Sequence, residues 1–252
     1  MTTRRLLAAL PLALATLLLR PFSGVADAIP QSAPTAPTQA LSAEERGDLL
    51  MARQQYLAAL EAYQEAPPNA VTWNKMGMAW HHMQAFDEAR KDYEKALLIH
   101  PNYPEAINNL GAADFSKGDY RRAIRLYRRA LKLMPDSAVV AANLGTAYFA
   151  RGKYQQGLKA YQKAFTLDPT VFNPDSTESI LGPSNPHERA RQDYCIAELF
   201  ARQGDQNLAL EYLRKALNDG FDDHTRLLQD SDFAQLRKTA QFAELMAEEK
   251  IH

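Results

Sequence analysis

The chain has a single cysteine, Cys195, among 252 residues. That excludes an internal disulfide and a zinc site built on several thiolates. No one sign of charge prevails, with 29 basic residues against 30 acidic ones. A general nucleic-acid or polyanion binder is strongly basic, so this balance argues against one. Long apolar runs are also scarce. The longest, Leu6 to Leu19, has 14 residues, short of the roughly 17–25 that a membrane-spanning helix needs. Runs of β-branched residues are few, which speaks against a strand-rich fold. The sequence has no phosphate-cradling glycine loop, no Gly-x-Ser-x-Gly elbow and no His-Glu-x-x-His pair.

What is there begins with a three-part export signal. Arg4 and Arg5 form its positive end, and Leu6 to Leu19 its apolar run. Ala26-Asp27-Ala28 places small residues where a signal peptidase reads them, so cleavage is expected before Ile29. The alternative is an uncleaved anchor. Removing Arg4, Arg5, Arg20 and Asp27 leaves 26 basic and 29 acidic residues, a net charge of about −3. The mature protein is expected to be periplasmic or secreted. Residues 29–41 contain Pro30, Pro34 and Pro37 among Ser, Thr, Gln and Ala. They have no apolar periodicity and read as a flexible linker.

After the linker the sequence repeats itself. Trp73, Met76, Gly77 and Trp80 align with Ile107, Leu110, Gly111 and Asp114, then with Ala141, Leu144, Gly145 and Tyr148, in steps of 34 residues. The second half of each unit repeats too: Ala89, Tyr93, Ala96 and Pro101, then Ala123, Tyr127, Ala130 and Pro135, then Gly157, Tyr161, Ala164 and Pro169. Unit positions 4, 7, 8 and 11 share one face of a helix, and positions 20, 24 and 27 share one face of a second. Small residues at 8, 20 and 27 let the two helices approach closely. The ring at 24 fills space between units. Gly118, Gly152 and Gly204 fall at the turn between helices, where a positive φ is needed. The terminal prolines stop the second helix. Asp114 breaks the apolar pattern at position 11.

This pattern resembles the tetratricopeptide repeat family, strongly over Ala70 to Val171. The resemblance implies an all-α, right-handed solenoid of about five helix-turn-helix units. They cover residues 42–223, as units at about 42–68, 70–103, 104–137, 138–171 and 190–223. Residues 172–189 form an insertion rich in proline and polar residues, either a spacer or a binding loop. Residues 224–252 break the repeat. Leu227, Leu228, Phe233, Leu236, Phe242, Leu245 and Met246 suggest short helices capping the last apolar face.

Candidate chemistry is sparse. His81 and His82 are adjacent and diverge by about 100° on a helix, so they do not readily share a metal. Cys195 at unit position 6 reads as a buried small hydrophobe. The chain is therefore expected to be non-catalytic, with no catalytic residues, cofactor or metal.

The resemblance implies a concave groove lined by the first helices. Its expected partner-binding residues are Asn74, Met78, His81, Asn108, Asn109, Phe115, Asn143, Thr146, Phe149, Tyr194 and Glu198. Such a face suits an extended peptide or partner helix. Family members that hold chaperone tails use a lysine–arginine clamp. Asn74, Met78, Val139 and Asn143 stand at those places, and only Asn109 fits, so this use is disfavoured. On the second helix of unit three, Arg121, Arg125, Arg128 and Lys132 form a basic stripe. It reads either as a solvated face or as a contact for an acidic protein or anionic membrane. The expected function is an exported interaction scaffold for an unknown protein or peptide. The alternative is an accessory subunit of a cell-envelope assembly, docked through the stripe. Nucleic acid and small-molecule substrates are not expected, and membrane contact is expected only through an uncleaved signal.

Overall fold

The computed structural model describes residues 40–173 and 185–249. The signal at 1–28, the linker up to residue 39 and residues 174–184 of the insertion lie outside the described residues. Every regular element among the described residues is helical.

Five helix pairs follow one another. They are α1 (Ala43–Ala52) with α2 (Tyr56–Glu65), α3 (Ala70–His82) with α4 (Phe86–Ile99), α5 (Pro104–Ser116) with α6 (Tyr120–Leu133), α7 (Ala138–Phe149) with α8 (Tyr154–Leu167), and α9 (Pro186–Gln203) with α10 (Gln206–Asn218). A closing segment holds α11 (His224–Gln229), two short 3-10 turns at Ser231–Phe233 and Leu236–Lys238, and α12 (Ala240–Glu249). Each pair packs on the next, which makes an α-solenoid of tetratricopeptide type.

Local chemistry sets these boundaries. The Ser42 hydroxyl and Asn69 amide oxygen accept from backbone N–H groups of the first turns of α1 and α3, each within a reciprocal capping box. Pro104 and Pro186 occupy first-turn positions of α5 and α9, where a missing N–H costs nothing. Helices α4, α6 and α8 end two residues before Pro101, Pro135 and Pro169.

The turn inside each pair is the same five times. Gln54, Gln84, Gly118, Gly152 and Gly204 all adopt positive φ, between 59° and 90°. The next residue's N–H then returns to a carbonyl in the ending helix, as Ala85 does to Trp80 and Asp119 to Asp114. Glycine marks three of these turns in the sequence. In the first two pairs glutamine takes the left-handed conformation instead.

The core runs along the solenoid as a row of tyrosines. Tyr63, Tyr93, Tyr127 and Tyr161 are almost fully buried. Each lies across the glycine sixteen residues earlier, and a methyl group at Gly47, Gly77, Gly111 or Gly145 would sit 2.2–2.9 Å from a ring carbon. Asp114, which broke the apolar pattern, is also buried, at 1% exposure. Arg90 Nε and Arg122 Nε lie 3.0 and 2.9 Å from its carboxylate oxygens, so opposite charges flank it from α4 and α6.

The insertion starts and ends differently from its sequence reading. Val171 and Phe172 are core residues, the Phe172 ring lying 4.7 Å from that of Tyr161. The Tyr212 hydroxyl donates to the Phe172 carbonyl. At the other end α9 already begins at Pro186, and Arg189 forks onto Asp219 at 2.7 and 3.1 Å. An aromatic side chain and a proline able to start a helix outweigh the loop-like composition around them. The closing segment continues the solenoid in degenerate form. Helix α11 starts at His224, 34 residues after Ala190, and buries Leu227 where a repeat would place its fourth residue.

Candidate functional site

The inner face of α3, α5 and α7 forms one wall of a cleft of about 670 Å³. Of the expected groove residues, Met78, His81, Asn108, Asn109 and Asn143 line it together. His82, Ala112 and Val139 join them from the same helices. The floor also includes Gln84, Phe86, Tyr93 and Ser116, which the first-helix reading did not supply. Phe86 and Tyr93 come from the second helix of their pair, so a search restricted to first helices passes over them.

A chain of amides runs across three repeats along this wall. Asn143 Nδ2 donates to Asn108 Oδ1 at 3.3 Å, Asn108 Nδ2 to Asn109 Oδ1 at 3.3 Å, and Asn109 Nδ2 to Asn74 Oδ1 at 3.1 Å. Asn74 closes the chain on Met78 Sδ at 3.7 Å. Asn74 itself is buried behind the wall, where it positions Asn109. A primary amide carries two N–H donors and a carbonyl with two lone pairs. Asn108 and Asn109 each spend one N–H on a neighbouring amide, whereas Asn143 Oδ1 is buried, beyond the reach of a ligand. The second N–H groups of Asn108 and Asn109, both half-buried on the cleft wall, are left for an extended backbone laid along it.

The electrostatics of the cleft are close to neutral. Burial, with His82 adjacent, holds His81 well below the usual histidine range, at about 4. Near neutral pH its imidazole is uncharged. It meets Phe86 edge to face, ring centroids 5.1 Å apart. His82, at the edge of the cleft, stacks on Tyr56 at 5.0 Å. The two rings diverge as adjacent helical positions must.

Five expected groove residues lie elsewhere. Phe115 and Phe149 are buried, and each packs against a tyrosine across its own turn: Phe115 on Tyr120 at 5.1 Å, Phe149 on Tyr154 at 6.3 Å. His81 and Phe86 are the matching pair one unit earlier. In all three units position 12 packs on the aromatic residue at position 17; His81 and Phe86 still line the cleft, whereas Phe115 and Phe149 are buried under the turn. Thr146 is 1% exposed and shares a hydrogen bond with the Tyr161 hydroxyl at 2.8 Å.

Tyr194 and Glu198 are covered by the closing segment. The Tyr194 ring stacks 4.2 Å from Phe221, Arg226 lies over it at 4.6 Å, and its hydroxyl donates to Asp230 at 2.9 Å. Arg226 also donates to Glu198 at 2.7 Å. The closing segment thus occupies, at the fifth pair, the inner face that stays open at the second to fourth.

Glu198, Asp230 and Asp232 are the one group of three metal-capable side chains brought close together among the described residues. Arg226 pairs with Glu198 and Arg202 with Asp232, while Tyr194 and the Asp232 N–H donate to Asp230. These contacts pair two of the three carboxyl groups with arginines, give the third two neutral donors, and tie the closing segment to α9. Cys195 beside it is buried, and burial pushes its thiol far up, which suits a packing role.

The basic stripe divides the arginines of α6 in two. Arg122 pairs with Glu94 and Asp114, and Arg129 donates to the Pro101 carbonyl. Arg121, Arg125, Arg128 and Lys132 are exposed and make no ion pair or hydrogen bond among the described residues.

Comparison with known proteins agrees with the repeat geometry. Residues 68–136 and 114–170 match family models described as tetratricopeptide repeat. Over 100 residues the chain is 29% identical to the small glutamine-rich tetratricopeptide repeat-containing protein 2 of Saccharomyces cerevisiae. That match covers 38% of this chain and 29% of the yeast protein, so the chain spans less than a third of its relative's length. Among solved structures, the APC/C hetero-tetramer Cut9–Hcn1 is similar with a TM-score of 0.51 and 18% identity, over 78% of this chain and 35% of that one. A crystal structure of MamA is similar with a TM-score of 0.49 and 23% identity, over 69% of this chain and 93% of that one. The 34-residue period and the paired helices of the segment 68–170 thus match the tetratricopeptide repeat models that cover it.

Proposed function

We propose that this protein is an exported, non-catalytic scaffold that binds an extended peptide or partner segment in the cleft between its second and fourth helix pairs. The observation that carries this reading is the asparagine chain across three repeats, beside an open cleft in which Asn108 and Asn109 each keep one N–H. Met78, Phe86 and Val139 beside it supply apolar contact. Backbone bonds to fixed amides give register, and desolvated side chains give most of the affinity. The charged clamp of chaperone-tail binders is missing from Asn74, Met78, Val139 and Asn143, so the ligand is one that lies along the wall through its backbone. A free carboxylate at its end has no cation to meet there. Export is supported by the Arg4-Arg5 start, the apolar run Leu6 to Leu19 and Ala26-Asp27-Ala28.

Selection of displayed random peptides on the immobilised protein tests this reading. Peptides that compete with one another are expected, and Val139→Glu, a charge placed in the cleft, is expected to abolish their binding with the helical circular dichroism unchanged. Selected peptides that bind the Val139→Glu protein equally well would place recognition elsewhere.

A further inference from the structure

The outer helices carry a second repeated pattern, unrelated to the cleft. Arg125, Arg129 and Leu133 on α6 stand at the same unit positions as Lys159, Lys163 and Leu167 on α8. The spacing is four residues, so each trio lines one face of its helix. All six are exposed, and Leu133 and Leu167 remain so at 41% and 37%. The preceding second helix extends the aliphatic rim with Leu98 and Ile99, which are 82% and 55% exposed. Helices α6 and α8 contain no acidic residue at all. On α4, by contrast, Asp87 and Glu94 pair across to Lys117 and Arg122. A field of one sign is therefore confined to α6 and α8, where the stripe on α6 is joined by unpaired Lys159 and Lys163.

The arrangement favours one occupant. A partner protein is recognised through desolvated anchors in pockets. Here the cations stand out separately on two neighbouring helices, along about 16 Å of α6 between Arg121 and Lys132. A bilayer presents a diffuse negative surface that exposed cations meet without fixed geometry, and aliphatic side chains at the rim can enter its interface.

We propose that the outer face of α6 and α8 docks on an anionic lipid bilayer, its cations against headgroup phosphates and Leu133 and Leu167 in the interfacial layer. The cleft is lined mainly by first helices and the docking face by second helices, so both can be occupied together. This inference does not depend on the peptide reading.

The test is co-sedimentation of the full chain with vesicles of about 30% anionic phospholipid and with purely zwitterionic vesicles. The Leu6 to Leu19 run is common to all variants, so the readout is the ratio between the two vesicle types. Arg125→Gln, Arg128→Gln and Lys159→Gln are combined in one variant. Arg53→Gln, Arg151→Gln and Arg214→Gln, exposed cations outside this face, form a control of equal charge. Glutamine keeps helix propensity at these positions. Each cation near an anionic surface raises partitioning roughly fivefold, so the first variant should lower the ratio by about 100-fold and the control much less. Equal ratios for both variants would overturn the proposal. So would binding to soluble polyglutamate without binding to anionic vesicles, which would mark an acidic protein as the partner.

Discussion

Gly77 lies flat against the ring of Tyr93, with no room for even one more carbon: a methyl group there would come within 2.5 Å of Tyr93 Cε1. The same contact joins Gly111 to Tyr127 and Gly145 to Tyr161. It sets how closely the two helices of a pair approach. Gly77→Ala gains up to about 1 kcal/mol of helix propensity. Overpacking a buried ring costs about 1–3 kcal/mol, so a net loss of stability is expected in urea titration.

The opposite sign is expected at the turn. Gln84 carries φ 60° where three other pairs use glycine. A left-handed conformation costs a non-glycine residue about 1–2 kcal/mol, partly offset by glycine's greater freedom when unfolded. Gln84→Gly should therefore raise stability by about 0.5–1 kcal/mol. An unchanged urea midpoint would show that the side chain makes up the difference.

Asp114 separates charge from packing. Arg90 and Arg122 flank it, yet both reach solvent and both also meet Glu94. The other pairs hold Leu50, Trp80, Tyr148 and Phe200 at this position. A buried ion pair replaced by a well-packed apolar group is often neutral, whereas removing a buried side chain and leaving a void costs about 2–5 kcal/mol. Asp114→Leu is thus expected within about 1 kcal/mol of the parent, and Asp114→Ala well below it, in thermal melts at constant pH.

Glu198 makes the closing segment sensitive to pH. Burial pushes its carboxyl up to about 7 from 4.5; a hydrogen bond to Asp230 adds to this and Arg226 opposes it. Asp230 is held low instead: burial raises it, but bonds from Glu198, the Asp232 N–H and Tyr194 outweigh that. Glu198 Oε2 has no donor, which fits a carboxyl that carries the proton and gives it to Asp230. Between about 4.5 and 7 the folded state holds a proton that the unfolded chain releases, so this group's contribution to stability falls as pH rises. Glu198→Gln should flatten the fall in Tm across that window. An unaltered Tm profile would remove Glu198 as its source.

Much of this molecule is legible in its sequence because a repeat states each packing rule several times. The 34-residue step exposed the paired helices, the small and ring positions and the three glycine turns; that each ring lies on the glycine of its own unit, and that Gln54 and Gln84 turn like glycine, came from the structure. The amide wall was visible as asparagines at adjacent inner positions of three units. What escaped reading was conditional on neighbours. Phe115 and Phe149 pack on Tyr120 and Tyr154 and are buried, whereas His81, paired in the same way with Phe86, stays in the cleft, a difference no spacing in the sequence announces. Tyr194 and Glu198 were hidden by Arg226, Asp230 and Phe233, which belong to a segment without recognisable periodicity. Phe86 and Tyr93 reach the cleft from a second helix, which no single-helix pattern reports.

The most direct test of the cleft as the recognition site is photocrosslinking in the source cells, with a benzophenone amino acid replacing Ala112 on the cleft wall. The same residue replacing exposed Gln156 on α8 serves as control. A discrete protein adduct from position 112, lost when Val139→Glu is added and missing from position 156, is the predicted result. An adduct from position 156 with none from position 112 would contradict the account.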